Sequence, residues 1–408
     1  EAIQIATDDT PWYGVLAGLG LGYRPLDDDQ RDYARPKRRR LLQLDDSGLP
    51  EQLRLGKYDI VGCRYIVTEA PFATDNDVKA YRKHKLDDDQ GLQEGNVLPF
   101  NLLAEYSQGV KRLAVLRMDV DDLGDLFGAK LNRTSGAGSA TGVAALAYTA
   151  ALSAALSRFF EGWVGELCRQ VNRQGSANGA VYAVYSGGDD LFLVGSWHVM
   201  PGLAHQIRDD FAAYVLGRPL RENESPPITL SAGITLHSGG YPLYQAADDA
   251  AEALAAAKSF ARVGGHTKDA VSFLGRTLGW ERFSEAMRLC DELFTLVDQQ
   301  GAPRALLMTI QSLDAKARAG QRRGRDGSSQ FAYGPWIWQG AYQLTRMAER
   351  GRESFGPAIE QLREQIVGGE GVRTRYIEIA GLAARWAQLL IRERSNRSNK
   401  GEQDGSAE

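Results

Sequence analysis

Two acidic strings carry the chemistry in this sequence. Met118-Asp119-Val120-Asp121-Asp122-Leu123-Gly124 closes an apolar run, and Tyr185-Ser186-Gly187-Gly188-Asp189-Asp190-Leu191-Phe192 joins two others. Gly-Gly-Asp-Asp standing alone is a good hairpin turn. Set between the apolar runs 181–186 and 191–196, it becomes a hairpin tip that holds its acids at one end of a sheet. With the strand that ends at Asp119 lying beside that hairpin, Asp119 faces Asp189 and Asp190. Carboxylates that close repel one another unless cations share them, and hard oxygen ligands suit Mg2+ or Mn2+. Two such ions activate a ribose hydroxyl and stabilise the pyrophosphate that leaves a nucleoside triphosphate. Gly187 and Gly188 let the backbone approach phosphates where a Cβ would collide. A third element is Lys258, on a helix that follows small residues at Ala232-Gly233; Arg262 comes four residues later on the same helical face. This helix would set Lys258 against a triphosphate.

Those residues need strands and helices in a particular order. Residues 110–120 read as a buried strand. Residues 141–171 have helical spacing, with Leu146, Leu152, Leu156, Phe159 and Phe160 on one side. After the hairpin come a helix over 200–216, a strand at 228–237, a helix over 243–262 and a strand at 270–274. The order β-α-ββ-α-β-α-β predicts an α+β fold: an antiparallel, ferredoxin-like palm of the nucleotide-cyclase type, spanning 105–280. Residues 281–398 read as a C-terminal α-helical bundle with a loop at 320–329, and 395–408 as a disordered tail, its last ten residues (399–408) outside the bundle. Residues 1–104 read as a small α/β linker region with strands at 40–44 and 59–68. The string Leu-Asp-Asp-Asp-Gln occurs at 26–30 and 86–90 without similar surroundings, so it marks solvated loops and not a repeat. Gly18, Gly20 and Gly22 lack the spacing of a dinucleotide loop.

Composition narrows the class. The 408 residues are 43% hydrophobic and 25% charged, ordinary globular values. No apolar stretch is long enough to span a bilayer, and no signal segment opens the chain, so a cytoplasmic location is expected. Cys63, Cys168 and Cys290 are too few and too scattered for a disulfide framework. The first residue is Glu1, which suggests a start inside something longer. The net charge of −4 divides into −9 over residues 1–300, +8 over 301–400 and −3 over the last eight. In the basic stretch Arg304, Lys316, Arg318, Arg322, Arg323 and Arg325 are candidate phosphate contacts for RNA, or equally the solvated faces of helices. Trp336, Trp338 and Tyr342 are expected in the bundle core, by burial habit, and not as base-stacking platforms.

The order of these strings resembles a known family. LAEYSQGVKRLAVLRMDVDDLGDLF, ALSAALSRFF, VYAVYSGGDDLFLVGSW, SAGITLHSGGYPLYQAADDAAEALAAAK and DAVSFLG follow one another as in the second cyclase-like palm of the large subunit of type III CRISPR effector complexes. That resemblance covers about 96–274; the helical 281–398 region looks like the family's C-terminal bundle, and 1–95 like its variable linker. It implies conversion of ATP into 3′–5′ cyclic oligoadenylates, triggered by target RNA, in antiviral defence. It also implies metal ligation by Asp119, the Val120 carbonyl, Asp189 and Asp190. Ser186, Gly187 and Gly188 would border ribose and phosphates, Lys258 would bind triphosphate, and Ser153 is a weaker nucleotide contact. One of Asp121 and Asp122 would face the site. The implied partners are ATP, the other subunits of the complex, and CRISPR and target RNA held through it. None of the five histidines (84, 198, 205, 237, 266) precedes an Asp, so single-strand DNA cleavage is not expected of this chain. A second palm copy is also lacking, so the other half-site would come from a partner chain. A cyclic dinucleotide synthase using GTP and a non-catalytic scaffold palm are the competing readings.

Overall fold

A computed structural model describes residues 2–6, 22–26, 39–44, 60–64, 69–84, 91–124, 140–221, 226–261, 267–320, 322–323, 329–330, 334–368 and 376–392. By density of contact they fall into two units: 1–69, 123–170 and 183–191 in one, and 70–122, 171–182 and 192–408 in the other.

In the first unit, β1 (Ala2–Ala6), β2 (Gly22–Leu26), β3 (Arg39–Leu44) and β4 (Ile60–Arg64) form a sheet in the order β2-β1-β3-β4. The pairs are antiparallel except β3–β4, which is parallel with a register shift after Leu41. β3 and β4 lie where apolar runs predict strands. β1 and β2 lie outside the runs expected as strands, although Ile3 and Ile5 of β1 alternate as strand residues do.

In the second unit α1 (Asp75–Lys83) opens with a capping box, Thr74 and Asp77 satisfying each other's backbone groups. It leads through α2 (Phe100–Glu105) to β5 (Leu113–Val120). Leu113, Ala114, Val115 and Leu116 are all buried, so both faces of β5 are covered. Leu98, Leu102, Leu103 and Tyr81 share a core with Leu113, Val115 and Val194. The long helix expected over 141–171 is interrupted: α3 (Ala140–Ser157) passes into a π-helical turn, Arg158–Trp163, and then α4 (Val164–Arg173). Such turns widen a helix and often mark functional positions.

β6 (Val181–Gly187), β7 (Asp190–Ser196), α5 (Met200–Leu216), β8 (Leu230–His237), α6 (Leu243–Lys258), β9 (Ala270–Phe273) and β10 (Arg276–Gly279) follow. They complete a mixed α+β arrangement whose six-stranded sheet runs β10-β9-β8-β5-β7-β6. The sheet is not wholly antiparallel as expected. β5 and β8 are antiparallel, Asp119 opposite Ser231, whereas β9 runs parallel to β8, Ala232–Ile234 against Val271–Phe273. A parallel neighbour requires a long crossover, and α6 supplies it. β10 was not foreseen; it pairs with β9 through a tight turn in which Leu274 and Gly275 have φ of 50° and 73°.

The helix expected to reach 262 ends at Lys258. The Ser259 N–H closes the last turn on the Ala255 carbonyl at 3.0 Å, and the Lys268 N–H then donates to the Phe260 carbonyl at 3.1 Å, so the chain doubles back. Arg262, Arg325, residues 27–30 and 86–90, Gly18, Gly20 and the 395–408 tail lie outside the described residues.

The bundle comprises α7 (Trp280–Asp298), α8 (Ala305–Ala319), α9 (Pro335–Arg350), α10 (Gly356–Val367) and α11 (Ile377–Ile391). α11 is its centre, buried nearly all round from Ile379 to Leu389. Two expectations are corrected here. Residues 320–329 are not simply a loop, because Arg322–Arg323 (β11) pairs with Ser329–Gln330 (β12). Trp336 is core, but Trp338 and Tyr342 are not: they are 76% and 64% exposed, against 3% for Trp336. Trp336, Gly340, Leu344 and Ala348 form the buried stripe of α9 at four-residue spacing, which turns 338 and 342 outward. Arg318 is engaged within the bundle, donating to Asp314 and the Glu378 carbonyl at 2.8 Å each, whereas Arg304 and Lys316 are exposed. No described helix is long and apolar enough to cross a membrane.

Candidate nucleotide site

Asp119 sits one residue before the end of β5, half-buried, and forms an ion pair with Lys258, the last residue of α6. Small residues make the pair possible. Ala246, Ala250 and Ala257 face inward, and α6 presses so close to β8 that a Cβ on Gly233 would lie 2.3 Å from the Leu254 nitrogen. The end of the helix thereby comes within reach of a carboxylate 139 residues away in sequence.

The acids after Asp119 have different fates. Asp121 is only 3% exposed. It accepts from the Thr229 hydroxyl at 2.7 Å, the Ser231 hydroxyl at 2.8 and 3.0 Å, and the Asp269 N–H at 3.1 Å. Burial raises its pKa above the usual carboxylate range, while these hydrogen bonds and the Lys258 charge act in the opposite direction. Asp121 is a pin between β5, β8 and the entry to β9. Asp122, in the left-handed region at φ 55°, is exposed and pairs with Lys268. Lys268 and Asp269 are left-handed too, at φ 73° and 47°, and Asp269 lies 3.6 Å from the buried Arg208 guanidinium. Asp122 is thus the solvent-facing one of the two.

The hairpin tip belongs to the other unit. Gly188 has φ 68°, a conformation that suits glycine, and it shares the turn with Asp189 between β6 and β7. Gly187 lies against the helix: a Cβ there would sit 3.3 Å from Glu161 Oε1. Ser186 is buried, and its hydroxyl donates to the Phe160 carbonyl within the π turn at 2.6 Å. That bond anchors the tip to the helix. Asp189 and Asp190 are half-buried, and the Tyr185 hydroxyl donates to Asp190. Ser153 is exposed on α3.

Asp119, Val120 and Lys258 thus lie in one unit, and Ser153, Ser186, Gly187, Gly188, Asp189 and Asp190 in the other. Among the described residues no three His, Cys, Asp or Glu side chains gather as a metal-holding group. Taken one by one, the carboxylates of Asp119, Asp189 and Asp190 and the Val120 carbonyl are hard oxygen donors of the kind divalent cations take. Sequence reasoning missed Thr229, Ser231, Lys268, Asp269 and Arg208. Thr229 and Ser231 carried a usable signal, two hydroxyls with period-two spacing on a strand predicted near an acid-terminated one. The others depend on where β9 starts.

Residues 112–271 match the family model described as Cas10/Cmr2, second palm domain. Among curated proteins, the Methanocaldococcus jannaschii CRISPR system single-strand-specific deoxyribonuclease Cas10/Csm1 (subtype III-A) is 33% identical over 177 residues, 41% of this chain and 20% of that protein. The Streptococcus thermophilus protein of the same description is 31% identical over 181 residues, 44% of this chain and 20% of that one. Among solved structures, a crystal structure of a Csm1–Csm4 cassette in complex with cA4 aligns with a TM-score of 0.52 and 20% identity, covering 91% of this chain and 45% of that one. At that identity the likeness is one of fold. The matched region thus spans about a fifth of these curated relatives. The family model matches residues 112–271 as a palm domain, and the solved structure agrees with this chain in fold alone.

Proposed function

From that palm as premise, we propose that this chain is the part of a type III CRISPR large subunit that makes a nucleotide signal. It is a two-metal nucleotidyltransferase converting ATP into 3′–5′ cyclic oligoadenylates when target RNA is bound, in antiviral defence. The supporting observation is the Asp119–Lys258 pair, a carboxylate suited to a cation and an ammonium suited to a phosphate, brought together from distant parts of the chain. We read β8-β5-β7-β6 with the intervening helices as the ferredoxin-like palm.

In this reading Asp119, the Val120 carbonyl, Asp189 and Asp190 hold Mg2+ or Mn2+. The ions, when bound, favour the 3′-alkoxide and offset charge on the leaving pyrophosphate. The ribose 3′-oxygen attacks the α-phosphorus of a second ATP, and the bond from that phosphorus to the pyrophosphate oxygen breaks. Lys258 exchanges Asp119 for the triphosphate oxygens as nucleotide arrives. Gly187 and Gly188 leave room for phosphate, and Ser186 holds the tip through Phe160 instead of touching the ribose. Other subunits, CRISPR RNA and target RNA are the partners, and another chain supplies the second half-site, in the cytoplasm.

The test is mass spectrometry of products after incubation with ATP and Mn2+, with and without assembled complex and target RNA. Cyclic oligoadenylate and pyrophosphate are expected from the assembled complex, and neither from the Asp189→Ala, Asp190→Ala double variant. Turnover of GTP but not ATP, or assembly with no pyrophosphate release under any nucleotide, refutes the proposal.

A further inference from the structure

The outward face of α9 carries Trp338, Tyr342 and Arg346 at successive four-residue steps, one above the other along the helix. Trp338 and Tyr342 are among the most exposed large side chains of the described residues, and the Arg346 guanidinium lies 5.8 Å from the centre of the Tyr342 ring. The exposed neighbours are Pro335, Gln339, Gln343, Glu349 and Arg350. No exposed aliphatic side chain accompanies the two rings on this face. On α8, the Lys316 ammonium donates to Gln339 at 2.5 Å, which adds a second cation beside Trp338. Neither Arg346 nor Arg350 takes part in an ion pair among the described residues. The stretch 301–400 carries a charge of +8.

Rings with arginine also occur at protein interfaces, but the exposed charges named on this face, Lys316, Arg346 and Arg350 against Glu349, sum to a positive surface that a negative backbone complements. Exposed rings with cationic groups beside them that are not held in ion pairs among the described residues suit an occupant with flat faces and a negative backbone. We propose that the Trp338–Tyr342–Arg346 ridge is a stacking platform for a single-stranded polynucleotide. Bases lie on the indole and phenol rings, while Arg346, Arg350 and Lys316 meet the phosphates. The ridge is distinct from the palm acids and does not depend on their proposed chemistry.

The test is fluorescence anisotropy with the full chain and a fluorescein-labelled 12-nucleotide oligouridylate, in parallel with its deoxyribose counterpart, across a salt series. Trp338→Ala and Tyr342→Ala should each weaken binding about tenfold, by the worth of one stacked base. That loss should be equal at all salt concentrations, and Trp338→Phe should retain most of the affinity. Arg346→Ala should instead lower the slope of log affinity on log salt by about 0.7. A preference for the RNA probe assigns the platform to RNA, a preference for the deoxyribose probe assigns it to DNA, and either supports it. All three positions are exposed, so circular dichroism should report an unchanged fold. Absence of binding by the unmodified chain at low salt overturns the proposal. So does unchanged affinity in both aromatic-to-alanine variants, including the case in which they lose a protein partner instead.

Discussion

Substituting Gly233 by alanine isolates the contact that brings α6 to the acidic end of β5. The added Cβ would lie 2.3 Å from the Leu254 nitrogen and 2.6 Å from the Ala250 carbonyl oxygen. Both are main-chain atoms of one helix, so no side chain can swing aside. Ordinary contact requires about 3.5 Å, so the helix must retreat by about 1 Å along its length. Overpacking of this kind costs about 1–3 kcal/mol, and the rigidity of both neighbours puts Gly233→Ala near about 3 kcal/mol. Gly188→Ala is the control: nothing lies within 4 Å of its added Cβ, and only the left-handed φ of 68° opposes it. That change costs about 1 kcal/mol. Urea denaturation followed by tryptophan emission measures both, because Trp280 is buried and donates to the Leu230 carbonyl of β8 at 2.7 Å. Under the proposed function the same displacement moves Lys258, and a misplacement of about 1 Å should lower the turnover of the assembled complex by about a hundredfold. A stability loss below about 0.5 kcal/mol for Gly233→Ala, or one no larger than that of Gly188→Ala, would refute the close-packing argument.

Acid should weaken the fold through its histidines. His198 accepts from the Gln108 N–H at Nδ1, 3.2 Å, and its Nε2 lies 3.0 Å from the Asn178 carbonyl, an arrangement for the neutral ring. Burial lowers the pKa of His198, as it does those of His205 and His237. The unfolded chain then takes up protons first, so stability is full above about pH 6.5 and falls as the pH drops below it. Melting temperatures between pH 8 and pH 5 should show that decline, and His198→Gln should flatten it; equal slopes would refute the assignment. Asp314, 3% exposed, accepts from Arg276 at 2.5 Å and Arg318 at 2.8 Å. Asp314→Ala removes the carboxylate that both guanidinium groups share; because these side chains are partly exposed and Arg318 keeps its bond to the Glu378 carbonyl, the change should cost about 1–3 kcal/mol in denaturation followed by far-UV circular dichroism.

The site was legible where chemistry and local pattern coincide. An acid ending an apolar run marked β5, and Gly-Gly-Asp-Asp between two apolar runs marked the β6–β7 tip, because both signals are local. What failed to show depended on distance along the chain. Asp121 looks like its neighbours in sequence, and its burial is decided by Thr229, Ser231 and Asp269, more than a hundred residues away. α6 has helical composition beyond Lys258, yet the return pairing of Phe260 with Lys268 ends it there. Trp338 and Tyr342 were assigned by the habits of their residue types, while the stripe set by Trp336, Gly340 and Leu344 turns them outward. β10 is four residues long and depends on the turn at Leu274-Gly275.

The aromatic contacts where β9 meets the bundle have a mechanical meaning. Phe273 lies 4.8 Å, centre to centre, from Trp386 of α11, and Phe283 of α7 stacks on the same indole at 5.7 Å. Phe273 is also the register partner of Ile234 in β8, next to the pair Gly233–Ser272. Packed side chains thus run from α11 to β9 and, through the register of β9 with β8, to the strand on which α6 rests. The bundle and the sheet therefore share one packed aromatic seam, on the side of the sheet where β8 and β9 pair.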